Sequence, residues 1–274
     1  MTEQFSVLMS LYVREKAEYA RACFESLLSQ TVPATEWVIV EDGPLTDELY
    51  ALLDEYEQKY PNLIKRVPIK ENVGLGLALR EGVLNCTYEF IARMDTDDIA
   101  KNDRFEKQLR VFKENPELDV CGSYISEFVT TPDEITAVRK VPLSDAEIKQ
   151  YQKRRDGVNH VTVMFKKQAV LKAGNYQHAL LMEDTLLWVN MILSGAVFAN
   201  IGESLVYVRT GADMFERRGG YAYYKKYKAG RKLVYKTGYI SWFDYTFTLF
   251  VQFVVAMMPN SIRKFIFEKL LREG

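Results

Sequence analysis

Short apolar runs alternate with amphipathic stretches over the first hundred residues of the chain. The apolar runs predict strands, at residues 5–13, 37–40, 63–69 and in the segment that ends at Asp95. The amphipathic stretches predict helices, at residues 16–29, 46–59 and 74–84. Because strands and helices alternate, the pattern predicts an α/β protein with a mostly parallel central sheet and helices on both faces.

Polar residues follow the ends of these predicted strands. They are Tyr12 and Arg14, Glu41 and Asp42, Asn72 and Gly74, and Asp95 and Asp97. In open parallel sheets, ligands bind in the crevice beyond the carboxyl ends of the strands. We therefore expect the four groups to converge on one crevice.

The pattern is less regular after Pro116. The predicted elements are a strand at 119–128, a polar loop up to residue 142, and a further strand at 159–165. Ser144 and Glu147 have the spacing of a capping box at the start of a charged helix, which ends near Arg155. Residues 183–193 predict a helix that ends before Gly195.

The chain becomes basic and aromatic beyond residue 211, which predicts a domain at 1–210 and an appended segment at 211–274. The apolar run at 245–258 has about 14 residues, fewer than the roughly 20 needed to span a bilayer. The aromatic residues nearby are Trp242, Phe243, Tyr245, Phe247, Phe250 and Phe253, and the basic residues after them are Arg263, Lys264, Lys269 and Arg272. This composition favours a helix in the membrane interface, and a core or dimer helix is the alternative.

Composition limits the class of protein. With 274 residues, 48% of them apolar, the chain can bury a large core, and its formal charge of −1 gives no reason to expect a nucleic-acid partner. Cys23, Cys86 and Cys121 lack the spacing of metal ligands, so we expect buried reduced thiols in a cytoplasmic protein. The N-terminus lacks the features of a signal peptide, which also favours the cytoplasm.

Three carboxylates end the fourth predicted strand, at Asp95, Asp97 and Asp98. Oxygen ligands suit Mg²⁺ or Mn²⁺, and a cation held by few protein oxygens keeps positions open for substrate phosphates. The alternative is that Asp98 or Asn102 caps the helix that starts at Arg104. For an isolated motif of this kind, both interpretations stand.

Together these motifs resemble those of the family 2 glycosyltransferases, with the fold called GT-A, over about residues 5–220. The resemblance lies in the segments 6–12, 29–31, 41–43, 72–74, 92–98 and 160–165, and in Glu183, Asp184, Trp188 and Arg209. The segments 42–44, 93–98 and 217–220 are most similar to bacterial transferases of the amylovoran type, which make exopolysaccharide or capsule. One departure is Glu41-Asp42-Gly43-Pro44, where many relatives have two aspartates, glycine and serine; Asp42 remains the better match for the nucleotide-binding carboxylate.

The resemblance implies a role for each polar group. The residues expected to bind the nucleotide sugar are Tyr12, Arg14, Asp42, Asn72, Gly74, Arg93, Asp95, Arg217 and Arg218. Among them, Asp42 could accept a hydrogen bond from uracil while Tyr12 stacks on the base, and the two C-terminal arginines could close over the diphosphate. Asp97, with Asp95 sharing the ion or binding ribose, is expected to hold Mn²⁺ or Mg²⁺.

The catalytic base is expected at Asp184, with Glu183 in a supporting or acceptor-binding role. By its position alone, Asp184 could equally be an ordinary carboxylate at a helix N-terminus. His160 and Trp188 are possible contacts to acceptor or donor, although a structural role for His160 is an open alternative.

We therefore expect an inverting, metal-dependent enzyme that transfers a hexosyl or N-acetylhexosaminyl group. Its donor would be a UDP-sugar, and its acceptor a lipid-linked oligosaccharide in exopolysaccharide, capsule or O-antigen synthesis. The enzyme would be peripheral on the cytoplasmic face of the bacterial inner membrane. The alternatives are a sugar-nucleotide nucleotidyltransferase, which would want a glycine-rich loop where Tyr12 to Glu15 stand, and a non-catalytic membrane-associated scaffold.

Overall fold

The computed structural model describes residues 3–211, 218–259 and 263. Its strands are β1 (Phe5–Leu11), β2 (Glu36–Asp42), β3 (Ile64–Ile69), β4 (Phe90–Arg93), β5 (Ile99–Ala100), β6 (Val120–Phe128), β7 (Ile135–Arg139), β8 (Met164–Lys166) and β9 (Phe198–Arg209). Its helices are α1 (Ala17–Leu28), α2 (Asp47–Lys59), α3 (Leu75–Asn85), α4 (Arg104–Glu114), α5 (Asp145–Gln152), α6 (Lys167–Lys172), α7 (Glu183–Leu193), α8 (Gly220–Lys236) and α9 (Trp242–Met257), with a 3₁₀ turn at His160–Thr162.

The strands form a mixed sheet with the order β3-β2-β1-β4-β8-β6-β9-β5, and β7 pairs with β6 outside that path. The neighbours among β1 to β4 are all parallel. β8 is antiparallel to both β4 and β6, and β6 and β9 are parallel to each other. The carboxyl ends of the first four strands therefore lie at one edge of the sheet, where a parallel sheet binds its ligands.

Side chains of β1 alternate between two apolar clusters, one on each face of the sheet. Val7 and Met9 pack in a cluster with Phe24 of α1, and Leu8 packs in a second cluster with Val83 of α3. All of these side chains are fully buried. At about 1.5–3 kcal/mol for each large apolar side chain, this burial is the main force that holds the strand ends in place. Cys23, Cys86 and Cys121 are also buried and unpaired, as predicted.

The second half differs from the sequence prediction in several places, among them the short helix α6, which was not predicted. Residues 159–165 form a 3₁₀ turn followed by the short β8, rather than a continuous strand. The loop predicted up to residue 142 contains β7, an edge strand that pairs with β6. β9 was not predicted, because Gly202, Glu203 and Ser204 interrupt its apolar pattern where its register with β6 shifts. The capping box of Ser144 and Glu147 is confirmed.

The last two described helices pack against the main body. Met182, Leu186 and Val189 at α7 share an apolar cluster with Val234 of α8. Arg263 is buried and donates to the carbonyl oxygens of Val255, Ala256 and Met258, so it closes the end of α9 rather than facing lipid. Lys264, Lys269 and Arg272 lie outside the described residues. The division of the chain at residue 210 stays a prediction.

Within the described part of the chain, no helix has both the length and the apolar content to cross a bilayer. Asp244, the acidic residue in the first turn of α9, is buried and accepts hydrogen bonds from Ser241 and Arg154. One face of α9 nevertheless exposes apolar side chains, which are Trp242, Phe243, Phe247, Phe250, Val251, Phe253, Val254 and Met257. We call this set the aromatic face of α9.

Candidate active site

The loop after β3 is tied to the end of β2 through Asp42. One carboxylate oxygen of Asp42 accepts from the backbone N–H of Val73 at 2.7 Å, and the other accepts from that of Gly74 at 3.1 Å. The side-chain amide of Asn72 donates to the same carboxylate at 3.0 Å. Asp42 therefore holds the two loops together. A nucleobase that donated a hydrogen bond to Asp42 would share carboxylate oxygens that already accept hydrogen bonds.

The close approach of the two loops explains Gly43. A Cβ at this position would lie 2.7 Å from the backbone nitrogen of Asn72, and the φ of Gly43 is +82°. Glu41, by contrast, pairs with Arg66 at 2.5 Å, and Arg66 also pairs with Asp54 and Glu57 of α2. Because successive residues of a strand face opposite sides, only Asp42 of this pair faces the loop at Asn72.

The three carboxylates after β4 come together as the sequence predicts. Oxygens of Asp95, Asp97 and Asp98 all lie within 4.8 Å of one another. Burial, and then the charge of Asp95, raises the pKa of Asp97 to about 6. Asp98 is buried and accepts from the backbone N–H of Arg209 at 2.8 Å, so it anchors β9 rather than capping α4. We call Asp95, Asp97 and Asp98 the acidic cluster.

Arg93 connects the acidic cluster to the rest of the crevice. Its guanidinium is buried and binds both carboxylate oxygens of Asp95, with Nη1 to Oδ2 at 2.5 Å. Burial raises the pKa of the carboxyls of Glu183 and Asp184, and the positive charge of Arg93 opposes part of that rise. Arg93 thus contacts the cluster and acts electrostatically on the predicted base. Its fork faces Asp95 in this structure, so the predicted contact with the nucleotide sugar would have to use another edge of the group.

Glu183 and Asp184 are the first two residues of α7, beside the start of α3. A Cβ added to Gly76 would lie 2.8 Å from the Cβ of Glu183, so the two helix starts touch. The carboxylate of Asp184 accepts from the backbone N–H of Thr185 at 2.8 Å. Burial is the main reason why the pKa of Asp184 is raised to about 8, followed by the charges of Asp156 and Glu183. A carboxylate with such a pKa is a stronger proton acceptor than an exposed aspartate.

Asp156 is a site residue that the sequence did not reveal. Its Oδ1 accepts from the hydroxyl of Thr185 at 2.7 Å and from the side-chain amide of Gln152 at 3.0 Å. This places a second carboxylate behind Asp184. In the sequence, Asp156 precedes Gly157 after a charged helix, which is typical of an ordinary turn. The contact depends on how α5 packs on α7, and no local pattern records that packing.

His160 and Trp188 form part of the wall between the crevice and the core. The Nε2 of His160 and the hydroxyl of Tyr176 are hydrogen-bonded at 2.7 Å. Burial, and then the charge of Arg93, lowers the pKa of His160 well below its ordinary value, so the ring is neutral at pH 7. Trp188 is fully buried, with its ring edge-to-face against His160. The expected contact of Trp188 with donor or acceptor therefore needs correction, because its surface is inside the core.

The loop after β1 reaches the acidic cluster. Tyr12 is half-buried, and Arg14 is exposed. Burial, and then the charges of Asp97 and Asp95, raises the pKa of Glu15 to about 7. Glu15 is thus a further carboxylate near the cluster that the sequence reasoning did not select. Arg209 closes the other side, with its Nε 3.2 Å from the carbonyl oxygen of Asp97 and its guanidinium 4.0 Å from the centre of the Tyr19 ring.

Of the two arginines expected to cover the diphosphate, Arg217 lies outside the described residues. Arg218 is half-buried just before α8, where its charge acts on Tyr223. Its role in binding a diphosphate stays a prediction. The carboxyl edge of the sheet thus carries Asp42, the acidic cluster and Arg93, and α7 begins with the carboxylate pair beside the start of α3.

Comparison with protein families identifies the class of protein to which this site belongs. The family model described as "Glycosyl transferase family 2" matches residues 6–174. The chain belongs to glycosyltransferase family 2. An acidic cluster at the end of β4 and a carboxylate pair at the start of α7 are thus parts of a sugar-transferring enzyme.

Curated relatives match this glycosyltransferase over nearly its whole length. An "Uncharacterized glycosyltransferase" of Haemophilus influenzae is 40% identical over 270 residues, 98% of this chain and 100% of that protein. The "Amylovoran biosynthesis glycosyltransferase AmsE" of Erwinia amylovora is 39% identical over 97% of this chain and 98% of that protein. The "UDP-Gal:alpha-D-GlcNAc-diphosphoundecaprenol beta-1,3-galactosyltransferase" of Escherichia coli is 32% identical over 99% of this chain and 98% of that protein.

Solved structures show the same GT-A fold. S. aureus TarS residues 1–349, in complex with UDP-GlcNAc, has a TM-score of 0.63 at 19% identity, covering 84% of this chain and 66% of that one. The mannosyltransferase PcManGT from Pyrobaculum calidifontis, in complex with GDP-Man and Mn²⁺, has a TM-score of 0.64 at 12% identity, covering 95% and 71%. At these identities the likeness shows the fold alone.

Proposed function

We propose that this enzyme transfers a sugar, with inversion, from a UDP-sugar to a hydroxyl of a lipid-linked oligosaccharide. The observation that carries the proposal is the carboxylate of Asp184: it is half-buried at the start of α7, its pKa is raised, and the charge of Arg93, which binds Asp95 of the acidic cluster, acts on it. A base on one side and a phosphate-binding region on the other are what in-line displacement at an anomeric carbon requires.

The acidic cluster fits a divalent cation by the chemistry of its donors. Asp97 and Asp95 offer carboxylate oxygens at the open end of a strand, and Asp98 is engaged by β9. Hard oxygen donors close together match Mg²⁺ or Mn²⁺. A bound cation would neutralise the diphosphate of the leaving group. The family generally uses such a metal, and we assign Asp97 as the ligand, with Asp95 held in place by Arg93.

We assign a separate role in binding or catalysis to each of the remaining residues. Asp42 fixes the loop at residues 72–74, and we assign that loop and Tyr12 to the nucleotide. Asp184 accepts the proton of the acceptor hydroxyl, and Glu183 borders the space for the acceptor. His160 is a poor competitor for that proton, because its lowered pKa makes its neutral ring a weak base.

The donor, acceptor and location are proposed from the relatives. The E. coli relative is named for UDP-Gal and a diphosphoundecaprenol-linked GlcNAc, and the Erwinia relative for amylovoran synthesis. A lipid-linked acceptor and a UDP-hexose or UDP-N-acetylhexosamine donor are therefore our choice, in exopolysaccharide, capsule or O-antigen synthesis. The aromatic face of α9 would hold the enzyme peripherally on the cytoplasmic face of the bacterial inner membrane.

A donor panel tests the proposal. Purified enzyme is given UDP-, GDP- and dTDP-sugars with a synthetic lipid-diphosphate sugar acceptor, in Mn²⁺, Mg²⁺ or EDTA. We expect release of UDP from one UDP-sugar with either metal and none in EDTA, and a product whose anomeric configuration is opposite to that of the donor. Folded enzyme that binds nucleotide but releases none would favour the scaffold. Retention at the anomeric carbon would contradict Asp184 as the base.

The pH dependence of kcat/KM should change when Asp156 is replaced. Four groups face Asp184: Asp156, Glu183, Arg93 and Tyr176. Because the base works only when it is ionised, kcat/KM should rise with pH through the pKa of Asp184. The negative charge of Asp156 raises that pKa, so Asp156→Asn should move the rise to lower pH, by about one pH unit. Asparagine keeps an oxygen for the hydroxyl of Thr185.

Asp145→Asn is the matched control for this experiment, since Asp145 begins α5, the helix that precedes Asp156, and pairs with Lys149. Its other oxygen accepts from the backbone N–H of Phe198, a hydrogen bond that asparagine can still accept. Its pH profile should equal that of the wild type. A rise that stays in place in Asp156→Asn, or moves to higher pH, would show that the charge of Asp156 does not act on the base.

A further inference from the structure

Three successive cations follow the end of α5, at Lys153, Arg154 and Arg155. They line a groove of about 960 Å³. The acidic residues of the groove are Glu147 and Asp244. We call this the basic groove. The proposed mechanism leaves it without a role.

The basic groove adjoins the aromatic face of α9. The guanidinium of Arg154 lies 5.6 Å from the ring centre of Phe243 and 5.0 Å from that of Phe247. Its Nε donates to Asp244 at 2.7 Å, and its side chain is 48% exposed. Trp242 and Phe250, on the same helix, are 68% and 67% exposed. Aromatic side chains of this kind lie at the level of the lipid headgroups, so the cations beside them would face lipid phosphates.

Asp156 connects the basic groove with the proposed base. Asp156 follows Arg155 directly, and its carboxylate accepts from Thr185, the neighbour of Asp184. A group bound by the arginines is therefore close to the start of α7, where the acceptor hydroxyl must be deprotonated. The acidic members of the groove are already engaged, because Glu147 binds Ser144 at 2.7 Å and Asp244 binds Ser241 at 2.7 Å.

We propose that the basic groove binds the diphosphate of a lipid-diphosphate acceptor, with Arg154 and Arg155 as its main ligands. This inference rests on the proposed function. A lipid diphosphate carries its charge at the membrane surface, and its sugar lies farther from the lipid than the diphosphate. The inference therefore explains why three cations lie near both the aromatic face of α9 and the proposed base, Asp184. Arginine suits phosphate oxygens through paired hydrogen bonds.

The test compares two acceptors in micelles of a neutral detergent, where no anionic headgroup competes. One acceptor carries the sugar on an alkyl diphosphate, and the other carries the same sugar on a neutral alkyl chain. For Arg154→Gln/Arg155→Gln, we expect KM for the diphosphate acceptor to rise about 10- to 100-fold, as two charge-assisted hydrogen bonds are lost. KM for the neutral acceptor and donor hydrolysis without acceptor should equal those of the wild type.

Lys225→Gln/Lys226→Gln is the charge-matched control, since it removes two exposed cations from α8. Its KM for the diphosphate acceptor should be unchanged. If the double arginine variant does not fold, the same KM values are measured for Lys153→Gln/Arg155→Gln, which keeps the contact between Arg154 and Asp244. An unchanged KM, or an equal rise with both acceptors, would overturn the assignment. Failure of the wild type to use either acceptor would instead contradict the proposed function.

Discussion

Asp184→Asn is expected to lower kcat by about 10²- to 10⁴-fold, the usual contribution of a general base. Asparagine has nearly the same shape and can still accept from the backbone N–H of Thr185, so α7 should begin at the same residue. It cannot take a proton from the acceptor hydroxyl. Single-turnover rates of transfer, together with UDP binding measured by calorimetry, would separate loss of chemistry from loss of donor binding.

Glu183→Gln is the matched comparison, because Glu183 is the neighbouring carboxylate at the same helix start. Its pKa is also raised by burial, but its side chain packs against Gly76 of α3. We expect a smaller effect on kcat and a larger one on KM for the acceptor. If Glu183→Gln lost more activity than Asp184→Asn, the roles of the two residues would have to be exchanged.

Local sequence patterns predicted the parts of the site that depend on strand ends. The acidic residues after β4 and the loop at 72–74 lie where the chain leaves parallel strands, and the order of elements is enough to bring them to one edge. The family resemblance added Asp184, which by position alone could be an ordinary first-turn carboxylate.

The parts that the sequence did not predict depend on packing between distant elements. Asp156 reaches Thr185 only because α5 lies against α7, and Trp188 is buried only because Phe198 of β9 and His160 cover its ring. A tryptophan on a helix after two acidic residues has no local feature that separates a ligand contact from a core position. The engagement of Asp42 by the loop at 72–74 is of the same kind, since it joins residues thirty positions apart.

Asp97→Asn is expected to lower kcat/KM by about 10²- to 10³-fold, the cost of removing one preorganised electrostatic contact to the developing charge. The change keeps the size of the side chain but removes a charge suited to a divalent cation. It also relieves the repulsion from Asp95 that raises the pKa of Asp97, so the metal-free protein should be as stable as the wild type or more stable. Reduced activity would therefore not be caused by unfolding.

A second measurement distinguishes loss of metal from other damage. A cation that binds only the folded protein raises its Tm, by an amount that grows with concentration above Kd. Wild type should show this rise with Mn²⁺ and lose it in EDTA, and Asp97→Asn should show little or none. Asp103→Asn removes a nearby carboxylate that pairs with Lys107 instead, so it should keep both the rise and the activity.

The activity and the Tm rise with Mn²⁺ together distinguish the possible roles of Asp97. Full activity of the wild type in EDTA would remove the cation from the mechanism and leave Arg93 and Arg209 as the described cations nearest the acidic cluster. A Tm rise that survives in Asp97→Asn while activity is lost would move the ion to Asp95 and assign Asp97 to the substrate. If Asp97 and the diphosphate share a cation, Asp97→Asn should lose both the Tm rise with Mn²⁺ and the activity. UDP binding should then depend on Mn²⁺ in the wild type but not in the variant.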